Sequence, residues 1–385
     1  MYQVFSQPAP VMFGRGAISV LGEKIKEFGC KKALLVCEQG IVDAGIIDKA
    51  AASLAAAGVG HAVFSGVLAD PPDSCVEAAA QAAREAEADC IVGIGGGSSM
   101  DTAKAASILM NHPGTIRTYM TAMPTFMEVE TPLFLVPTTA GTGSECTSVA
   151  IISLPDQNVK AGVFISAPRS LAIVDPELTL SLPRSITAST GMDALAHAAE
   201  AMTAVNWNYH SDLFGEAAIR KISQNLVICC DDPSNIDARS EMALAANWAG
   251  LAFNNPITHV AHAVADAFSV HFHTPHGLGC ALALPETMAL VAPVMPERMF
   301  VIAKAMGLAS SGSESGERLG KIVADGMRDM MRKAGIKSLS EMGYEREEVV
   351  SFITEVVTSH LSFNCPVEIN EETAAKLLAA VFDTY

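Results

Sequence analysis

Along the first half of the chain, short runs of β-branched and aliphatic residues alternate with Ala-rich stretches whose apolar positions recur at helical spacing. Residues 32–37, 61–64, 90–94 and 133–136 read as strands. Helices are expected at 46–57, where Gly58 supplies a stop, and at 74–87 and 98–110. Such alternation predicts a mostly parallel, Rossmann-like sheet covered by helices. Residues 149–153, 159–165 and 171–174 are also strand-like, but no helix separates them, so antiparallel pairing is expected there. After Asp175-Pro176 the β-branched runs give way to long stretches rich in Ala, Met, Leu and Glu, from near Ile186 to Tyr385. The expected division is an α/β domain over residues 1–183 and an all-α domain over 184–385.

Composition narrows the function classes. The chain has 385 residues, 50% of them hydrophobic, enough for two domains with large cores. Lys and Arg total 25 against 42 Asp and Glu, and the net charge of −17 repels nucleic acid and anionic membranes. No apolar run reaches the roughly 18 residues of a spanning helix. The nine cysteines form no Cys-x-x-Cys pair, which argues against a zinc ribbon or a thioredoxin-type site and fits a reduced, cytoplasmic compartment.

Two loops offer anion chemistry. Gly93-Ile94-Gly95-Gly96-Gly97-Ser98-Ser99-Met100-Asp101 follows an expected strand and opens an expected helix. Its glycines let backbone approach a pyrophosphate, and the helix N-terminus favours negative charge. Ser98 stands where the usual dinucleotide fingerprint has its third Gly, and no Gly-Lys-Ser/Thr follows, so a ligand-free tight turn also fits the pattern. Glu38, just past the first strand, can accept hydrogen bonds from an adenosine ribose and would repel a 2′-phosphate, favouring NAD over NADP; a solvated surface Glu fits its position equally. The loop Pro137-Thr138-Thr139-Ala140-Gly141-Thr142-Gly143-Ser144-Glu145 adds hydroxyls after another strand.

Metal chemistry is written in the second half. Asp193 and His197 share one helix face at i, i+4. Five of the ten histidines (His259, His262, His271, His273, His276) crowd into an otherwise apolar stretch. Three imidazoles with one carboxylate suit Fe²⁺ or Zn²⁺, not an oxygen-only Mg²⁺ or Ca²⁺ site. A metal beside a nicotinamide implies polarisation of a carbonyl during hydride transfer.

Taken in order, these motifs, with Asp101-Thr102-Ala103-Lys104, Gly191-Met192-Asp193-Ala194-Leu195, Ala252-Phe253-Asn254-Asn255, His271-Phe272-His273 and Pro275-His276-Gly277, resemble the iron-containing (group III) alcohol dehydrogenase family over nearly the whole chain. The resemblance implies a dehydroquinate synthase-like architecture: a nucleotide-binding α/β domain, a helical metal-binding domain and an active site in the cleft between them. It further implies Asp193, His197, His262 and His276 as metal ligands. Gly96, Gly97, Ser98, Asp101, Thr138, Thr139, Thr142 and Lys160 would contact NAD(H). Glu38 would take the place of the NAD-selecting acidic residue, and Asp70 sits where the family often has Asn. The metal implied is Fe²⁺, with Zn²⁺ as the alternative.

Three departures stand out. Asp266 replaces a histidine thought to assist proton relay, and at i, i+4 it could orient His262, accept a proton or ligate the ion. His259 replaces a small residue and is expected to reach the pocket. Cys365-Pro366-Val367 replaces a frequent Asn-Pro-Arg. The expected reaction is hydride exchange between NAD(H) and a small primary alcohol or aldehyde, including a polar or anionic one such as a sulfo- or phosphono-aldehyde. His271, His273 or Asp266 would relay the proton, and Val149, Phe253, His259, Phe363 and Cys365 would line the pocket. A glycerol dehydrogenase- or dehydroquinate synthase-like enzyme and a non-catalytic NAD- and metal-binding sensor are the alternatives. A homodimer or higher homo-oligomer is the default partner state.

Overall fold

A computed structural model describes residues 3–120, 125–157 and 159–385. By its internal contacts the chain divides into two compact units: residues 7–139 with 143–181, and residues 140–142 with 182–385 together with the N-terminal residues up to Ser6.

The first unit is built on strands β1 (Val11–Phe13), β2 (Lys32–Val36), β3 (Gly60–Phe64), β4 (Cys90–Gly95), β5 (Phe126–Glu128), β6 (Leu133–Pro137), β7 (Val149–Leu154), β8 (Val159–Ser166) and β9 (Ser170–Val174). Six of them form one parallel sheet in the order β1-β9-β6-β4-β2-β3. Helices α1 (Leu21–Glu27), α2 (Gln39–Asp43), α3 (Ile46–Ala57), α4 (Asp73–Glu85) and α5 (Gly97–Asn111) accompany it. α3 ends at left-handed Gly58, as its sequence suggests. All six residues of β4 are buried, consistent with a strand packed on both faces. Because β2 pairs with β3 on one side and β4 on the other, the strand order reverses between β2 and β4. In an open α/β sheet, a ligand crevice opens at the carboxyl ends of such strands.

The expectation for the last three strands is half corrected. β7 and β8 do pair antiparallel, and with β5 they form a separate three-stranded sheet. β9, however, joins the main sheet parallel to both β1 and β6. Burial separates them: every residue of β9 is buried, which requires cover on both faces, whereas β7 alternates between covered and open positions. Edge strand β1 was not expected from the sequence.

The second unit is helical. It comprises α6 (Arg184–Thr203), α7 (Tyr209–Asp231), α8 (Ile236–Phe253), α9 (Val260–Phe272), α10 (His276–Val291), α11 (Pro296–Ala305), α12 (Gly316–Ala334), α13 (Arg346–Val350), α14 (Ile353–Thr358) and α15 (Glu371–Asp383). α6 is buried nearly all round from Thr187 onward, the mark of a central core helix. Among the described residues no helix is long and apolar enough to cross a membrane.

Candidate functional site

α6 carries the polar stripe on which the metal-binding cluster is built. Asp193, His197 and Glu200 stand at i, i+4 and i+7 and share one buried face. α9 contributes His262 from its first turn, and α10 contributes His276 as its first residue. The α9–α10 corner is made by His273, whose left-handed backbone (φ 52°) turns the chain into Thr274-Pro275. A Cβ at Gly277 would lie 2.6 Å from the Ser189 carbonyl oxygen, so only glycine lets α10 begin against α6 beside Asp193.

Three imidazole nitrogens converge on one carboxylate oxygen. Asp193 Oδ1 lies 3.9 Å from His197 Nε2, 3.9 Å from His262 Nε2 and 4.0 Å from His276 Nε2. Asp193 Oδ1 and His262 Nε2 are buried without a hydrogen-bond partner. Leaving such atoms unpaired costs about 1–3 kcal/mol each, a cost that a divalent ion among them would remove. The residues therefore fit the metal that the donor set suggests. Burial pushes the His197 imidazole down to about 4, which keeps it a neutral ligand. Burial opposes ionisation of Asp193, but the surrounding His197, His276 and His262 outweigh it and hold its carboxyl below the usual range. Cys280, one turn along α10, places its Sγ 3.6 Å from His276 Nε2; burial pushes this thiol well up.

A layer of supporting contacts fixes the rings. Glu200 is wholly buried, accepts a hydrogen bond from His262 Nδ1 through Oε2, and receives the Ala261 N–H through Oε1 at 2.7 Å. Despite burial, His259 and His262 hold the Glu200 carboxyl down to about 2. Phe253 stacks on the His197 ring at 4.1 Å and 12°. Asp266 Oδ1 lies 3.6 Å from His276 Nδ1.

Several expectations are corrected. Asp266 faces His276, and it is Glu200, not named from the sequence, that orients His262. His259 does not open onto a pocket: it is fully buried, with Nε2 2.9 Å from Thr203 Oγ1 and Nδ1 3.1 Å from Glu200. The His259–Glu200 approach lacks hydrogen-bond alignment, and burial holds the His259 imidazole below its ordinary value, so it is a close polar contact only. His271 is exposed, 3.1 Å from Glu355 and stacked on Phe352, and His273 is an exposed corner residue, so neither joins the cluster. Phe363 is 80% exposed, whereas Cys365 is buried, its thiol pushed up to about 12 by burial. The i, i+4, i+7 spacing of Asp193, His197 and Glu200 in an apolar helix was the signal available for Glu200.

In the α/β unit, Glu38 follows β2 as the N-cap residue of α2 and Gly96 precedes α5, so the acidic residue and the glycine loop flank the reversal point of the sheet. Gly95 has φ 150°, and a Cβ there would strike Ser99 Oγ at 2.5 Å. No side chain caps the N-terminus of α5, leaving its first N–H groups open to an anion. Thr138 N–H donates to the Gly95 carbonyl at 2.9 Å, bringing Thr138 and Thr139 beside Gly96 and Gly97. The Thr138 and Thr139 hydroxyls have no partner, as a polar ligand would require. Ser98 lies in the first turn of α5, and Lys160 Nζ holds left-handed Asp70 at 2.8 Å.

Asp101 is spent internally: Ser144 Oγ donates to Oδ1, and the Ile151 N–H donates to Oδ2 at 2.9 Å. Buried Lys104 completes this clamp with bonds to Ser144 Oγ and the Val149 carbonyl, both at 2.8 Å, and to Thr147 Oγ1 at 3.1 Å. Asp101 thus holds the second loop in place, and the carbonyl of Val149 serves the same clamp.

With this geometry in view, comparison with known proteins is decisive. The iron-containing alcohol dehydrogenase model matches residues 8–176, and the C-terminal model of the Fe-containing alcohol dehydrogenase family matches residues 187–382. The chain belongs to this family. It is 37% identical to long-chain-alcohol dehydrogenase 1 of Geobacillus thermodenitrificans over 77% of this chain and 76% of that protein. To the 1,3-propanediol dehydrogenase of Klebsiella pneumoniae it is 33% identical, over 99% of this chain and 100% of the relative. The solved sulfoacetaldehyde reductase of Bifidobacterium kashiwanohense, in complex with NAD⁺, superimposes with a TM-score of 0.89 at 28% identity, covering 100% of both chains.

Proposed function

We propose that this chain is a metal-dependent, NAD(H)-linked alcohol dehydrogenase that interconverts a small primary alcohol and its aldehyde. The convergence of three imidazole nitrogens on the unpartnered Asp193 Oδ1, at 3.9–4.0 Å, carries the reading. When bound, the ion supplies Lewis acidity toward a carbonyl oxygen, and the nicotinamide supplies or takes the hydride.

The residues divide the remaining work. Asp193, His197, His262 and His276 hold the ion, and iron is the metal that family membership favours. Glu200 fixes the His262 ring so that Nε2, not Nδ1, faces the cluster. Phe253 prevents the His197 ring from turning and lends the site an apolar wall. Asp266 lies 3.6 Å from the outward Nδ1 of His276, beyond direct hydrogen-bond reach, and its 33% exposed side chain carries a proton between the site edge and water. The Gly96–Ser98 loop, Thr138, Thr139, Thr142 and Lys160 bind NAD(H), and Glu38 excludes a 2′-phosphate.

Relatives carry long-chain alcohol, diol and sulfonated-aldehyde substrates in their names, a range from apolar to anionic. His259 can no longer argue for an anionic substrate, because its ring is sealed between Glu200 and Thr203. We further propose that the chain works in water as a homo-oligomer.

The test is NADH oxidation by anaerobically iron-loaded protein against neutral and acidic small aldehydes. Turnover abolished by a chelator supports the reading. Bound metal and NADH without turnover on any aldehyde would overturn it in favour of a sensor.

A further inference from the structure

At the amino end of the parallel sheet, away from the glycine loop, two cysteines meet. Cys30 lies in the turn between α1 and β2, and Cys90 is the first residue of β4. Their sulfurs and a carboxylate oxygen of Asp89 all lie within 4.8 Å of one another. Both thiols are free and buried.

The surrounding backbone leaves these sulfurs little freedom. Asp89 accepts the Lys31 N–H at 2.8 Å and the Lys32 N–H at 2.9 Å, fastening the turn before β2 to the residue before β4. Cys30 Sγ lies 3.9 Å from the Asp89 carbonyl oxygen, and Cys90 Sγ lies 3.9 Å from that of Lys32. Strand pairing of Ala33 with Cys90 locks the register on the other side. With the two sulfurs within 4.8 Å, closing to the S–S bond length of about 2.05 Å is a local movement of the two side chains.

Thiolate metal binding would also use two sulfurs and an oxygen, but the Asp89 carboxylate is already occupied by the backbone N–H groups it orders. That leaves the sulfurs to react with each other. We propose that Cys30 and Cys90 form a redox-active dithiol that closes to a disulfide when the protein meets a hydroperoxide.

The steps balance. The Cys30 sulfur attacks one peroxide oxygen, the O–O bond breaks, and water leaves, giving a sulfenic acid. The Cys90 sulfur then attacks the Cys30 sulfur; the S–S bond forms and the sulfenic oxygen departs as a second water carrying the Cys90 proton. Two thiols are oxidised by two electrons, and the peroxide is reduced by two. The order of attack follows from the pair's polarity. Cys30 keeps 7% of its surface exposed while Cys90 is sealed at 0%, and the neighbouring Cys90 thiol holds the Cys30 thiol below its ordinary value, so Cys30 meets the peroxide and attacks first.

The full-length protein, zinc-loaded so that iron does not consume the oxidant, is treated with hydrogen peroxide and digested without reduction. The expected product is a peptide pair joined through Cys30 and Cys90, with the intact mass reduced by two hydrogens. In Cys90→Ser, which removes the resolving thiol, Cys30 should instead be trapped by dimedone as a sulfenic acid. Circular dichroism establishes that the variant is folded. Unlinked Cys30 and Cys90 peptides from the oxidised wild-type chain would overturn the proposal, as would links joining either cysteine mainly to another partner.

Discussion

His262 donates from Nδ1 to the buried carboxylate of Glu200, and this leaves Nε2 of the same ring facing Asp193 Oδ1 at 3.9 Å. One hydrogen bond thus selects both the tautomer and the orientation that a metal requires. Glu200 also takes the Ala261 N–H, so it secures the first turn of α9 along with the ring.

Replacing Glu200 by Gln keeps the shape but weakens the acceptor for His262. Metal affinity should fall by about 10–100-fold, as for other supporting partners of metal-bound histidine. Competition with a chromophoric chelator measures this independently of turnover. An unchanged affinity would mean that His262 is oriented by packing alone.

The histidines separate into two groups. His262→Ala or His276→Ala should abolish stoichiometric metal, measured by elemental analysis, while NADH binding persists because the glycine loop, Thr138, Thr139 and Lys160 lie in the other unit. His271→Ala removes only an exposed contact with Glu355 and Phe352. Its stability should change by about 0.5 kcal/mol or less, with metal content and turnover retained. A large loss of turnover there would restore His271 as a relay.

What could be read from the chain alone was local. The β–α alternation, the stop at Gly58, the turn from β4 into α5 and the Asp193/His197 pair are all set by residues a few positions apart. What escaped was set by distant neighbours. The place of β9 depends on β1 and β6, and the sealing of His259 depends on Glu200 and Thr203, more than fifty residues earlier. Asp101 shows the same limit: its position beside the glycine loop suggests a cofactor contact, whereas Ser144, Ile151 and Lys104 consume its oxygens.

Gly95 gives a test confined to the cofactor loop. Its φ of 150° disfavours any side chain, and a Cβ would meet Ser99 Oγ at 2.5 Å. Strain of this kind costs about 1–3 kcal/mol. If the loop yields to relieve it, Gly95→Ala should weaken NADH binding by about tenfold, read by fluorescence titration, with metal content unchanged. Undiminished NADH affinity would remove the loop from the cofactor site.

Glu38 tests cofactor choice. Burial raises its carboxyl above the usual range, and in its charged form Glu38, just past β2, repels a 2′-phosphate. Glu38→Asn should lower the ratio of kcat/KM for NADH over NADPH, chiefly through KM for NADPH. A wild-type preference for NADPH would contradict the assignment outright.

Acid titration tests the charge of Glu200. Its carboxyl is held at about 2 in the folded chain against an ordinary 4.5. A depressed folded value means that the unfolded chain takes up the proton first. The stabilisation is therefore complete above pH 4.5 and is lost as pH falls toward 2. In chelator-treated protein, the difference in urea midpoint between wild type and Glu200→Gln should shrink as pH falls from 4.5 toward 2. It should separately decline as pH rises above 6.5, because burial is outweighed by Glu200, which pushes the His262 imidazole up, and that proton is lost there. Groups that Glu200 touches little, including His197 with its value of about 4, are present in both proteins and largely cancel in the acid range. A difference that stays flat through the acid range would mean that Glu200 is already protonated beneath His262, and its role would then be packing rather than charge.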